Sequence, residues 1–555
     1  MATRRQPEAR IPKWTKHVVP EVGGRDPLGL SRVSFLITDY LLTGIITTTS
    51  RARYYSFYPW VLLDIETTEN PKRHSDFVAA FQRREAFMSL GTLERNPNAK
   101  VVGIDALRPR LAKYRATKIV DTNFRVLPSN AMGGFGQYYG GSLYVLGLTH
   151  RPEGGFDRVA PGTGYALAEA FQHAIELSPY YQGGYFTKDE FPFRVLEKSS
   201  MRFSLDMLGA GFANSEKKLL RELLFSWDHG GLSDSDLLRR HSLTLVLHSV
   251  ATRNRLGYAP LVEDCDKQLV YQPYYYRVLQ VPGKSPASYE PPKQLTLCLG
   301  FWRVFCVHEF LTQALEFILY GVLEAIAMNT HGMTIEDLCD ALLGAAFRSA
   351  LGNSFTKAGT PADLLSSMGV QNVPVEANRF KARSQMNSTS GCSEWDLLNL
   401  DDGSPQVAIA VGVALLGILY SKWRGANDEF IRYIGSRAND SLWAGNVLPA
   451  LDRWLDATVT WHNAVRELIE QFILVQHDRV MYEKGRLESC WLRRVEGRIL
   501  KDQEYRPVFR SSRHGNCVSI LSDLGLLRIS ARGEISIAPD GRQMLARVLR
   551  ANGQK

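Results

Sequence analysis

Two stretches of this chain repeat one another across 378 positions without a gap. Leu143-Tyr-Val-Leu146-Gly147-Leu148 matches Leu521-Ser-Asp-Leu524-Gly525-Leu526, Val159-Ala160-Pro161 matches Ile537-Ala538-Pro539, and Leu167-Ala168 matches Leu545-Ala546. Such spacing constrains the fold before any motif is weighed, because both stretches are then expected to form the same local unit. In the later stretch, residues 516–524 have helical character and Gly525 stops the helix. Apolar runs at 526–529 and 534–537 flank Ser530-Ala-Arg-Gly533, a tight-turn composition that suits a hairpin. Asp540-Gly541 then opens a closing helix through Leu549.

Helix, glycine stop, hairpin and helix, preceded by Arg506-Pro-Val-Phe-Arg510, resembles the winged helix-turn-helix family of DNA-binding domains. In that family the helix before the hairpin enters the major groove, and the hairpin, or wing, touches the backbone or minor groove. The resemblance implies DNA contacts from Arg510, Arg513, His514, Asn516 and Ser519 at or before the recognition helix, and from Arg528 and Arg532 on the wing. Arg493, Arg494 and Arg498 would reach phosphates from a preceding helix. Charge agrees: residues 484–555 hold 15 Lys+Arg against 7 Asp+Glu, nearly the whole excess of a chain whose net charge is +9. A solvated basic domain that docks protein is the alternative. The recognition helix is not strongly basic, so backbone contact is expected ahead of base readout.

The earlier copy, near 75–177 with its wing at 150–158, differs in chemistry. No Lys or Arg lies between Arg125 and Arg151, and the helix position reads Phe135-Gly-Gln-Tyr-Tyr-Gly-Gly-Ser142. A face without cations is a poor partner for phosphate, so this copy is expected to pack on protein. Gln137, Tyr138 and Tyr139 facing bases or an exposed strand is the lesser alternative.

With 555 residues the chain has length for three or four domains. The expected class is mainly α: a multidomain helical body with two winged units. The reading divides it into a basic arm (1–25), a helical and aromatic segment (26–74), the first winged unit (75–177), a helical body (178–352), a linker or long loop (353–405), a second helical segment (406–480) and a basic winged domain (481–555). Arg51 to Trp60 is the most aromatic stretch. Its rings and arginines could stack on single-stranded bases, but a buried core is the favoured reading. Seven scattered cysteines without a CxxC pair argue against a disulfide framework or zinc site and for a reducing cytosol. The longest uncharged apolar run, 407–420, is 14 residues, too short to span a membrane.

No catalytic constellation or cofactor motif stands out. There is no phosphate-cradling lysine loop, and the glycines at 133–134, 136 and 140–141 read as turn or helix-packing residues. His477-Asp478 with His462, Asp228-His229, and Glu263-Asp264-Cys265-Asp266 invite metal readings that lack further ligands. Cys306 and His308 are two apart and do not face each other on a helix.

The leading expectation is a non-catalytic cytosolic protein that binds double-stranded DNA, with no metal or cofactor and no membrane role. A protein partner (an ATPase or nuclease) or a second copy would be held by the helical body and the first winged unit. Residues 24–60 are faintly similar to uncharacterised bacterial proteins of multi-gene systems, which implies a DNA-sensing or scaffold subunit of a genome-defence (antiviral) system. Winged units near both ends also resemble the layout of kleisin-type adaptors for SMC-like ATPases. A metal-dependent nuclease whose ligands are dispersed beyond recognition is the third reading, with Glu263, Asp264 and Asp266 the residues whose mutation would localise it.

Overall fold

The computed structural model describes residues 26–226, 233–355, 358–368, 394–424, 429–438, 441–485 and 490–551. The expected basic arm 1–25, Asp228-His229, Cys392 and residues 369–393 of the expected linker lie outside them. The chain is mainly helical, 63% helix against 7% strand. Its described strands form separate two-stranded antiparallel pairs, so packed helices carry the core.

The chain forms two compact units. The smaller joins the N-terminal residues through Ile37 to Arg303–Arg510, and the larger joins Thr38–Trp302 to the C-terminal residues from Ser511. The expected domain at 481–555 is therefore divided between them. Arg510 is held by acids of the smaller unit, whereas Ser512 binds Asp266 and Arg513 binds Asp39 in the larger.

In the larger unit the aromatic stretch forms helix Tyr54–Thr68, with Tyr54, Tyr55, Phe57, Tyr58 and Trp60 all buried. Tyr58 stacks on Phe81 at 5.9 Å between centroids and Trp60 lies 5.3 Å from Phe171. Arg53, at the start of this helix, is buried against Glu216 and donates to the carbonyl oxygens of Arg202 and Ser204. Arg84 is similarly buried against Asp64 at 2.6 Å. The arginines of this region are thus core residues with partners, as a buried charge requires.

Both repeated stretches lie in the larger unit and fold alike. In the first copy a π-helical turn, Phe135–Tyr139, runs into helix Gly140–Val145, then strands Thr149–His150 and Arg158–Val159, then helix Thr163–Ile175. The second copy is helix His514–Asp523, strands Leu527–Ile529 and Ile535–Ile537, and helix Pro539–Ala551. Thr149 lies opposite Val159 as Leu527 lies opposite Ile537, a matching register. Gly147 and Gly525 have φ of +67° and +71°, which side chains resist. Each permits a Schellman turn: Leu148 N donates to Leu143 O at 2.9 Å, and Leu526 N to Leu521 O at 2.8 Å. Each copy also rests on a longer helix. Tyr54–Thr68 packs on the first hairpin and closing helix, and Asp234–Arg255 packs on the second.

In the smaller unit, helix Pro405–Trp423 is almost wholly buried. Pro405 and Gln406 at its start and the residues to Trp423 at its end extend it beyond the uncharged run to 19 residues. It and the Thr296–Ala327 helix are long and apolar enough to cross a membrane, yet 94% and 89% of their most apolar windows are buried within the protein. The expected helix carrying Arg493, Arg494 and Arg498 is instead a hairpin, Leu492–Val495 with Arg498–Lys501. Glu496 and Gly497, with φ of +49° and +78°, make a turn whose twist matches paired strands. Leu492 and Ile499 point inward and the three arginines outward. The segment expected as a linker contains a helix, Pro361–Ser367, with Thr360 and Asp363 forming a reciprocal capping box.

One buried acid gives the larger unit a pH dependence. Glu85 accepts from the Tyr58 hydroxyl and the Gly134 amide, both at 2.8 Å. Burial pushes its pKa up to about 7, against the pull of those donors. The folded state then holds a proton that the unfolded state releases near pH 4.5, so this contribution to stability falls as pH rises from there to 7. The cost at higher pH is on the order of 3 kcal/mol. Denaturant titrations at about pH 5 and 8 are expected to show this loss in the wild type and a shallower one in Glu85→Gln.

Candidate nucleic-acid interface

Three of the expected DNA contacts are internal. Arg513 is 3% exposed, donates to Ile45 O at 2.9 Å and pairs with Asp39 at 2.7 Å. His514 is fully buried, with Nδ1 3.0 Å from the Ser512 hydroxyl and its ring edge on Trp302 at 4.5 Å. Burial lowers its pKa to about 3, so it carries no charge near neutrality. Arg510, in the smaller unit, pairs with Glu316 at 2.5 Å and Asp26 at 3.4 Å and donates to the Ser31 hydroxyl at 3.1 Å. Burial opposes its charge, but Glu316, Tyr505, Asp26 and Glu309 hold its pKa above the ordinary value. None of the three is placed to neutralise a phosphate.

The helix expected to read bases is covered. Asn516 donates to Ile46 O at 2.7 Å and Ser519 to Gly515 O at 3.0 Å. Asp523 accepts from Arg51 at 2.9 Å and from Ala52 N at 3.0 Å. None of the ten residues of His514–Asp523 is exposed. Residues 45, 46, 51 and 52 meet this helix at Arg513, Asn516 and Asp523, and Asn516 and Ser519 are left half-buried.

The cations that face outward are elsewhere. Arg528 and Arg532 are exposed on the hairpin. Arg542, Gln543, Arg547 and Arg550 are exposed on the closing helix, opposite buried Met544 and Val548. The helical spacing of Gln543, Ala546, Arg547 and Arg550 around that buried pair marked this face, and the sequence reading missed it. Among the described residues Arg528, Arg532 and Arg542 form no ion pair.

The scaffold under these cations is firmly tied. The free edge of the hairpin is occupied by the chain itself: Ile535 N donates to Pro260 O at 2.8 Å and Val262 N to Gly533 O at 3.0 Å. Asn254 adds a carbonyl that accepts from Ile537 N at 2.9 Å. Arg221 bonds Leu524 O at 2.9 Å and Asp540 at 2.7 Å, fixing the start of the closing helix. Glu534 and Asp540 are the acids nearest in sequence, and both already have partners.

Arg493, Arg494 and Arg498 are exposed but belong to the smaller unit. Arg493 pairs with Asp502 at 3.1 Å, Arg494 pairs with Asp478, and Arg498 donates to Gly332 O at 3.1 Å. They cannot be counted with the second copy's cations as one patch. In the first copy Arg151 is paired with Asp157 at 2.6 Å and Arg158 with Glu66 at 3.2 Å. Tyr139 is buried and Tyr138 half-buried, whereas Tyr144 and Val145 are 65% and 61% exposed. That face is apolar and uncharged.

The acids considered for metal chemistry turn to different partners. Asp266 accepts from Ser512 at 2.6 Å, Asp264 from Gln268 at 3.0 Å, and Glu263 is exposed. His477 is buried and its Nε2 accepts from Trp491 N at 3.2 Å and Leu492 N at 3.4 Å, while His462 lies 3.4 Å from Glu336. Cys306 is buried, and His308 Nε2 donates to Leu30 O at 2.8 Å. Among the described residues no group of three or more His, Cys, Asp or Glu could hold a metal ion. No family model, curated protein or solved structure matches this chain.

Buried and outward arginines are expected to differ in their effect on folding. Arg513→Ala leaves the Ile45 carbonyl unsatisfied and lowers stability by about 1–3 kcal/mol in urea unfolding. Arg532→Ala is expected to change it by no more than about 0.5 kcal/mol.

Proposed function

We propose that this chain is a non-catalytic subunit that grips duplex DNA along the sugar–phosphate backbone. The grip comes from the second copy's hairpin and closing helix, through Arg528, Arg532, Arg542, Arg547 and Arg550. One observation carries the reading: these side chains face outward on a tied-down hairpin and helix, while no residue of the helix that would read bases is exposed. Cations without base contacts give affinity that is salt-dependent and indifferent to sequence. The second copy's resemblance to winged helix-turn-helix domains fits a wing-led contact. The apolar face at Tyr144 and Val145 suits a protein partner, in keeping with a subunit of a multi-protein DNA-sensing system.

Both copies belong to one compact unit, which does not suit an adaptor whose winged ends reach separate heads. Glu263, Asp264 and Asp266 do not share a focus, which does not suit a nuclease built on them.

The test is binding of the full chain to a fluorescent duplex across a salt series. Wild type is expected to bind at low salt with little preference among sequences. Arg528/Arg532/Arg542→Ala is expected to lower the slope of log affinity against log salt by about 3. Absence of binding by the wild type at low salt, or an unchanged slope in the variant, overturns the reading.

A further inference from the structure

The first copy exposes a face that its counterpart in the second copy does not. Gln137, Gly141, Tyr144 and Val145 are exposed along Phe135–Tyr139 and Gly140–Val145, whereas Phe135, Tyr139, Ser142 and Leu143 are buried. Tyr144 and Val145 are large apolar side chains left 65% and 61% in water. Their counterparts across 378 positions are Ser522 and Asp523, and those of Gln137 and Gly141 are Gly515 and Ser519. None of these four is exposed, and Asp523 is held by Arg51 and Ala52 of the same chain. The first copy has no such ionic tie to offer, because residues 126–150 hold no Asp, Glu, Lys or Arg. Gly141 has nothing within 4 Å of where a Cβ would stand, which leaves the helix backbone open to close approach.

We propose that this face pairs two copies of the chain about a twofold axis, with Tyr144 and Val145 of each copy packing on the same face of the other. A twofold contact sets a surface against itself, so charges close to the axis meet their like. In a chain of net charge +9 such repulsion is the ordinary obstacle to self-association, and this helix brings none of it. A partner that binds through charge finds nothing on the helix to pair with. An equally uncharged face buries apolar surface there without stranding an ion. Tyrosine suits such a contact, because it gives a large rigid ring at low entropic cost. Area sets the strength: two large side chains on a short helix fall well below the roughly 800 Å² per partner of a standard interface, so the dimer is weak. The pairing rests on the protein-binding reading of that face and needs no DNA.

The test is sedimentation velocity of the full chain, without DNA, from about 1 to 200 µM. Wild type is expected to pass from monomer to dimer with a dissociation constant on the order of 10–100 µM. Raising salt from about 0.1 to 0.5 M is expected not to weaken an uncharged contact, the reverse of DNA binding. Tyr144→Glu/Val145→Glu sets like charges against each other and is expected to weaken association at least about tenfold. Both side chains are exposed, so the melting temperature is expected to stay in place. Tyr144→Ala, which brings in no charge, is expected to weaken association about fivefold. Arg528/Arg532/Arg542→Ala is expected to dimerise as wild type does, so failure here is separate from failure of the DNA reading. A wild type that stays monomeric up to about 200 µM, or association unaltered in both Tyr144→Glu/Val145→Glu and Tyr144→Ala, overturns the proposal and leaves the face to a different protein.

Discussion

Arg53 sits in the interior of the larger unit with none of its side chain exposed, and the aromatic core depends on how that charge is met. Glu216 accepts from Nε at 3.1 Å, and the carbonyl oxygens of Arg202 and Ser204 take Nη1. Ser56 donates to the same carboxylate at 2.5 Å, so Glu216 is satisfied from two sides. An isolated guanidinium in a dry interior would cost several kcal/mol, and removing either partner of such a pair leaves the other charge stranded. With Arg53 neutralised, Tyr54, Tyr55, Phe57, Tyr58 and Trp60 can all be placed inside. The first copy's closing helix then has a wall to pack against.

The same requirement sorts the chain's other arginines. Arg84, Arg510 and Arg513 have each found a carboxylate or a row of carbonyls, and each is sealed by doing so. Others stay outward, among them Arg528 and Arg532 on a hairpin and Arg542, Arg547 and Arg550 on a helix, and some of the outward ones, such as Arg151 and Arg493, still keep an acid partner. Net charge counts all of these alike. A phosphate responds only to those that keep donors open to it.

The two copies separate local from contextual effects. Leucines, a positive-φ glycine and a matching strand register produce the same bend at Gly147 and Gly525, with backbone bonds that agree within 0.1 Å. Their surroundings then diverge. Asp523 is covered by Arg51 and Ala52, whereas Val145, its counterpart, is 61% exposed. One helix face is closed by the chain itself and the other is left open. No spacing within either copy carries that difference.

Much of the fold was legible because its signals are local. The repeat across 378 positions, the hairpin at 527–537 and the buried apolar helix around 407–420 follow from periodicity and turn chemistry. The hairpin at Leu492–Lys501 was missed because its register rests on Glu496-Gly497, a short turn inside a basic run that carries no strong strand signal. The candidate site was legible only in part. Arg528 and Arg532 followed from a turn flanked by strands, but the loss of Arg510, Arg513 and His514 to the interior did not. The sequence by itself determined the mainly helical class, the duplicated unit and a basic C-terminal tail, since each depends on neighbours a few residues apart. Tertiary structure alone decided which cations face water, because Asp39 and Glu316 meet their arginines across nearly two hundred residues or more and burial is settled only where those partners come together.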